Sequence, residues 1–177
     1  MADQTLKKDA GKPALDLVPF PDLVLTDSDV PVETMYGALQ AWYYGAPLAL
    51  TLPIPRRHIP GMAAVLGFGA AKYQPRGWEV GIPYSRVFAA AARHAEADYR
   101  GEALDPETGF PHAWHFWCNV MFLVTYAARG RADLDDRPPA SPRVRDMLDR
   151  IAAFAAQTTG NGVMAPGPNP AAKNGIN

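Results

Sequence analysis

Three of the four histidines fall within residues 94–115, a stretch also dense in carboxylates. The run reads Arg93-His94-x-Glu96-x-Asp98, then Gly101-Glu102-x-x-Asp105-x-Glu107-x-Gly109, then His112-x-x-His115-x-x-x-Asn119. If a helix through His94 persists to Asp105, then His94, Asp98, Glu102 and Asp105 share one face. On a following helix, His112, His115 and Asn119 fall at i, i+3, i+7, again one face. Two adjacent helices can turn such faces toward each other and hold metal ions between them. Oxygen-rich ligand sets favour Mg²⁺ or Mn²⁺ over zinc, and paired ions suit water attack on a phosphate chain. The bland alternatives are a solvated charged face, hydrogen-bonded core histidines beside Trp114 and Trp117, and turn chemistry at Asp105-x-Glu107. Crowding of three such patterns into residues 93–119 favours a site.

Upstream lies a second constellation, Gly69-Ala70-Ala71-Lys72-Tyr73-Gln74-Pro75-Arg76-Gly77-Trp78. Lys72 and Arg76 carry the charge to hold phosphates, and Tyr73 and Trp78 offer flat faces for a base. Core packing is the commoner fate of Tyr and Trp and competes evenly here. Several other signatures are absent from the sequence: a His-Asp dipeptide, a Walker A loop and His-Glu-x-x-His. Gly67-Phe68-Gly69 lacks the spacing of a dinucleotide loop.

These residues need elements to position them. Met35, Leu39 and Trp42 form one helical stripe within Val30–Gly45. Leu48–Pro55 reads as a short extended or β element, confined to an edge or loop by Pro53 and Pro55. A short helix is expected over Gly61–Lys72, followed by a loop over Gln74–Gly81. The clearest patterns come next. Val87, Phe88, Ala91, Ala92 and Ala95 form a stripe running to about Tyr99, loosened by Gly101. Pro111 opens another helix, with Phe116, Val120, Leu123, Val124 and Ala127 on one side and Gly130 as its stop. Ser141-Pro142 opens a last one, carrying Val144, Met147, Leu148, Ile151 and Phe154. The expectation is an all-α bundle of four to five helices with disordered termini. It comprises one domain over residues 1–157 and a Gly/Pro/Asn-rich tail over 158–177.

The chain has 177 residues, enough for one domain with a sizeable core. Its 17 basic and 18 acidic side chains give a net charge of −1, so neither nucleic acid nor an anionic membrane is an expected partner. One cysteine, Cys118, excludes an internal disulfide and a Cys-rich zinc site. Met1–Gly11 has no apolar run of a secretory signal and no stretch approaches a membrane span, so a cytoplasmic location is expected.

Gly11-Lys12-Pro13, Leu15-Asp16-Leu17-x-Pro19, Phe68-Gly69-Ala70-x-Lys72-Tyr73, Trp78-x-x-Gly81 and the long run from Arg93 to Asn119 together resemble one family. It is the dATP/dGTP diphosphohydrolase N-terminal family, largely phage-encoded and related to the MazG-like all-α nucleotide pyrophosphohydrolases. The resemblance covers about residues 11–19 and 61–126. It implies hydrolysis of a purine deoxynucleoside triphosphate, dGTP favoured and dATP an option, to the monophosphate and pyrophosphate. It implies one to three Mg²⁺ or Mn²⁺ ions, a homo-oligomer and, for a phage protein, the host cytoplasm. Some relatives supply dGMP for the synthesis of 2-aminoadenine DNA. Carried onto this chain, Glu102 and Asp105 are the leading metal ligands and Glu107 the next. Lys72, Tyr73, Trp78, Arg93, His112 and Asn119 become substrate contacts, and His94 and His115 join Glu102 and Asp105 as catalytic candidates. Two departures stand out. Pro21–Pro60 is an insertion whose apolar and aromatic residues point to a subunit interface or a cap on the pocket, with capping of its own helical bundle as the alternative. The paired Glu-Glu-x-x-Glu and Glu-x-x-Asp helices of MazG-like proteins are echoed only by Glu102-x-x-Asp105. A stepwise phosphohydrolase on another phosphoester and a non-catalytic nucleotide-binding protein are the alternatives.

Overall fold

The structure, a computed structural model, describes residues 12–45, 52–140, 142–143, 145–146 and 149–150. The chain divides into two compact units between Pro139 and Ala140. Among the described residues of the first lie four α-helices: α1 (Val32–Tyr43), α2 (Ile59–Lys72), α3 (Tyr84–Tyr99) and α4 (His112–Ala128). Two short parallel strands, β1 (Leu25–Thr26) and β2 (Ile54–Pro55), pair Leu25 with Ile54 and Thr26 with Pro55. The fold is all-α, as the periodicity implied; of the extended element expected over Leu48–Pro55, β2 holds the last two residues, and residues 48–51 lie outside the described ones. Among the described residues no helix is long and apolar enough to cross a membrane. In the second unit the described residues 142–143, 145–146 and 149–150 are helical, and Arg150 pairs with Asp146 one turn away at 3.0 Å. The expected terminal tail over 158–177 lies outside the described residues.

Helix α4 is the centre of the first unit. Its buried residues include Phe116, Trp117, Cys118, Val120, Met121, Leu123, Val124 and Tyr126, which occupy every side of the helix. A helix that is apolar all round must be covered all round. α3 packs against it along its length, α2 covers another side, and α1 packs on α3. The α2 contact is close because residue 61 is glycine: a Cβ there would sit 2.4 Å from the Trp114 indole. α4 ends at Gly130, which adopts the left-handed φ of +66° expected of a helix stop.

The insertion is part of this core. Met35, Leu39 and Trp42 of α1 are buried, as their spacing predicts. Trp42 lies 5.4 Å from the Tyr84 ring, and Tyr43 stacks on Phe88 at 4.0 Å, both partners being in α3. The Arg137 guanidinium sits 4.5 Å over Trp42 and donates to its carbonyl at 2.8 Å. Trp42 and Tyr43 are taken up by the chain's own α1–α3 contact and Tyr36 meets Phe116 of α4 at 6.5 Å, whereas Tyr44 stays exposed. No described residue of 21–60 lines the cavity between α2 and α4.

Candidate active site

The loop between α3 and α4 builds the site. α3 stops at Tyr99, and Gly101 turns the chain with a φ of +80°. The Glu102 amide returns to the Ala97 carbonyl at 3.0 Å. Helical periodicity therefore ends before Glu102, and the single face of His94, Asp98, Glu102 and Asp105 does not form. Beyond the turn, Leu104 and Pro111 make an antiparallel bridge. The Asp105 amide donates to the Phe110 carbonyl and the Gly109 amide to the Asp105 carbonyl, each at 2.8 Å. Inside this closed loop Asp105 Oδ1 accepts from the Glu107 amide (3.2 Å), the Thr108 amide (3.0 Å) and the Thr108 hydroxyl (2.9 Å). An aspartate that caps its own turn in this way is fixed in direction.

Three imidazoles meet this carboxylate. His94, from α3, has its Nδ1 2.9 Å from His112 Nδ1 and its ring stacked 4.5 Å from His115. His115 Nε2 lies 2.8 Å from Thr108 Oγ1 and 3.9 Å from Asp105 Oδ1. Since the Thr108 hydroxyl donates to Asp105, it accepts from His115 Nε2–H, and the His115 lone pair is on Nδ1. Burial pushes His94 down to about 4, with the neighbouring His115 and His112 adding to the effect and Asp105 opposing it. Burial likewise lowers His115. For Asp105, burial acts to raise the pKa, but the two Thr108 hydrogen bonds and the facing histidines outweigh it and hold the carboxyl below its usual range. At neutral pH the cluster is a carboxylate beside neutral His94 and His115. His94, Asp105 and His112 each offer a ligand atom within 4.8 Å of the others, close enough to hold a metal ion.

On the other side of His115 and Thr108 opens a cavity of about 490 Å³, a volume typical of small-molecule sites. The last turn of α2, the 3₁₀ turn Gly77–Val80 and α4 enclose it. Lys72, Tyr73, Trp78, Glu107, His115 and Asn119 all line it. Trp78 is braced by a 4.6 Å stack on Phe122, and the Asn119 amide is anchored to the His115 carbonyl at 2.8 Å. Lys72 forms an ion pair with Glu107, joining α2 to the loop. Arg76, also on the wall, has a left-handed φ of 58°, which non-glycine residues seldom adopt. Its guanidinium pairs with Glu79 and donates to the Asp16 carbonyl at 3.1 Å.

The sequence-derived candidates thus divide into three groups. Lys72, Tyr73, Trp78, Glu107, His115 and Asn119 share the cavity, while His94, His112 and Asp105 cluster beside it. Glu102 and Arg93 join neither group: Glu102 is exposed and bound to Arg100 at 2.9 Å, and Arg93 is exposed on α3. Thr108 and Phe122 escaped the sequence reading. Thr108 had a legible signal, the Asp-x-x-Thr spacing of a side-chain-capped turn. Phe122 had none, since it reads as one more apolar residue of α4.

Known proteins supply the remaining comparison. A solved structure that matches the chain was not found. A dATP/dGTP diphosphohydrolase of Salmonella phage PMBT28 is 30% identical over 128 residues, covering 71% of this chain but 42% of that protein. The chain therefore spans less than half the length of this curated relative. The family model described as dATP/dGTP diphosphohydrolase, N-terminal, matches residues 45–137, a stretch that contains α2, α3, α4, the histidine cluster and all of the cavity lining but Leu17, and begins after α1. By that match over more than half its length, the chain belongs to the dATP/dGTP diphosphohydrolase N-terminal family.

Proposed function

We propose that the cavity binds a purine deoxynucleoside triphosphate, dGTP or dATP, and that the chain hydrolyses it to the monophosphate and pyrophosphate. The observation that carries the reading is the shared wall: stacking surfaces, cations and a neutral, oriented imidazole line one cavity. Tyr73 and Trp78 take the base, whose flat face suits offset stacking. Lys72, released from Glu107, and Arg76 take the phosphate chain. His115 Nδ1 accepts a proton from water as the water oxygen bonds to the α-phosphorus. The bond from that phosphorus to the bridging oxygen breaks, and pyrophosphate leaves with the electron pair. Asp105 acts through Thr108, holding Nε2–H in place and stabilising the imidazolium that forms. His94, itself paired with His112, stacks on this ring, and the Asn119 amide donates to the His115 carbonyl within α4.

Dependence on Mg²⁺ or Mn²⁺ belongs to the reading, since a divalent ion neutralises charge on the transferred phosphorus and leaving group. Glu102, Asp105 and Glu107 do not share a coordination site: Glu102 is turned to Arg100 and Glu107 to Lys72. A homo-oligomer in the cytoplasm of an infected cell, supplying purine monophosphate for 2-aminoadenine DNA, completes the reading. The test incubates the chain with a dNTP and NTP panel plus Mg²⁺ or Mn²⁺ and resolves the products by chromatography. Pyrophosphate and the deoxymonophosphate appearing together, fastest from a purine substrate, is the expected result. Orthophosphate released stepwise, or nucleotide bound without turnover, overturns it.

A further inference from the structure

Of the carboxylates expected to hold a hard metal ion, Glu102 and Glu107 turn away to Arg100 and Lys72, whereas Asp105 converges with two imidazoles. We infer that His94, His112 and Asp105 form a two-nitrogen, one-oxygen centre for a first-row transition-metal dication of the Mn²⁺, Fe²⁺ or Co²⁺ class, in preference to Mg²⁺.

Four observations carry it. The donor set comes first: imidazole nitrogens suit transition metals, and Mg²⁺ strongly prefers oxygen and water. Geometry is second. The two Nδ1 atoms face each other at 2.9 Å. Nitrogens that far apart, each about 2.1 Å from one ion, subtend about 90°, the octahedral angle, whereas a tetrahedral zinc site needs them about 3.4 Å apart. Third, the carboxylate is prepared. The three hydrogen bonds from Glu107 and Thr108 all fall on Oδ1, so Asp105 is held in direction while Oδ2 takes none of them. Such outer bonds are what orient metal-binding carboxylates. Fourth, His112 is only 5% exposed and its Nδ1 faces that of His94, so in the neutral pair one ring donates its only proton and the other accepts. A metal ion takes the lone pairs of both facing nitrogens and leaves each ring's proton on Nε2.

Three donors leave the remaining octahedral positions open for water or a ligand oxygen. His115 is the connecting group: it stacks on His94 on one side and lines the cavity on the other.

The centre stands apart from the hydrolytic reading because it is tested without nucleotide. The whole chain, stripped of metal, is titrated with Mn²⁺, Co²⁺ and Mg²⁺ in a calorimeter. One equivalent of Mn²⁺ or Co²⁺ should bind, with Mg²⁺ weaker by about tenfold or more. His94→Ala and His112→Ala should each weaken Mn²⁺ binding by about tenfold or more, while Glu102→Gln stays within about twofold of the parent. Circular dichroism checks that each variant is folded. A readout on the unmodified chain covers the case in which neither folds: sub-stoichiometric Mn²⁺ should broaden the NMR signals of the His94 and His112 rings before those around Glu102. Equal affinity for Mg²⁺, binding unchanged in both folded histidine variants, or broadening centred on Glu102 overturns the centre. Turnover without such binding sinks this inference alone, and binding without turnover sinks the hydrolytic reading alone.

Discussion

Thr108 sits between the two groups that matter most to the proposed chemistry. Its hydroxyl donates to Asp105 at 2.9 Å and meets His115 Nε2 at 2.8 Å, and the Phe110 amide donates to it at 3.2 Å. A hydroxyl with one proton and two lone pairs is fully used by these three contacts. It therefore sets which His115 nitrogen is protonated, and a methyl in its place sets neither. Thr108→Val keeps the side chain's shape and removes that control. We expect kcat for purine deoxynucleotide hydrolysis to fall by about 10²-fold or more with KM nearly unchanged, since a misplaced general base loses a factor of that order. Thr108→Ser, which keeps the hydroxyl, should restore most of the rate. An equal fall for both variants, or a rise in KM at unchanged kcat, would assign Thr108 to packing or binding instead.

The same dependence on local bonding explains which elements could be read from sequence and which could not. α3 and α4 follow from their stripes, and Gly101 and Gly130 mark their ends because both need a positive φ. Lys72, Tyr73 and Trp78 reach one cavity because they occupy the end of α2 and the turn after it. Asp105 and Glu102 were less legible. Three residues apart, they would be neighbours on a helix, but the loop sends one to the histidines and the other to Arg100. That outcome depends on hydrogen bonds to Thr108 and Phe110, which no periodicity encodes. The pairing of β1 with β2 spans the whole of α1 and was equally hidden. α1 itself was legible as a helix but not in its partner. Its stripe requires an apolar surface, and only the fold shows that α3 supplies it. Trp42, 3% exposed against Tyr84 and Arg137, is the strongest probe of that contact. Trp42→Ala should cost about 3–5 kcal/mol in chemical denaturation, as deletion of a buried Trp does. Trp42→Phe should cost less, and its mass by light scattering and its kcat should match the parent's. A smaller assembly at unchanged stability would return Trp42 to a subunit interface.

At the scale of the whole molecule, a net charge of −1 gives little long-range repulsion, so acid sensitivity must come from particular buried groups. His58 is the one to test, because it lies outside the proposed metal centre. It is 8% exposed, stacked 5.1 Å from the Trp117 ring, and accepts a hydrogen bond from Arg57 Nε at 3.1 Å. Burial and the Arg57 charge push its pKa down from 6.5 to about 4, with Asp29 pulling weakly the other way. It also stands at the N-terminal end of α2, where a positive charge is disfavoured. The sign follows from proton counting. Between about 6.5 and about 4 the unfolded chain protonates this imidazole and the native one stays neutral, so the unfolded state binds more protons. Native stability therefore falls as pH drops through that window and levels off below it. Melting curves from pH 7 to pH 4 should show a progressive fall in Tm. His58→Phe keeps an aromatic ring on Trp117 and cannot titrate, so its Tm should fall less steeply over the same range. The His58 ring protons should also show no titration shift by NMR until the pH nears 4. A slope identical in the variant, or a ring that titrates near 6.5, would mean that solvent reaches His58 and that the acid response comes from elsewhere in the fold.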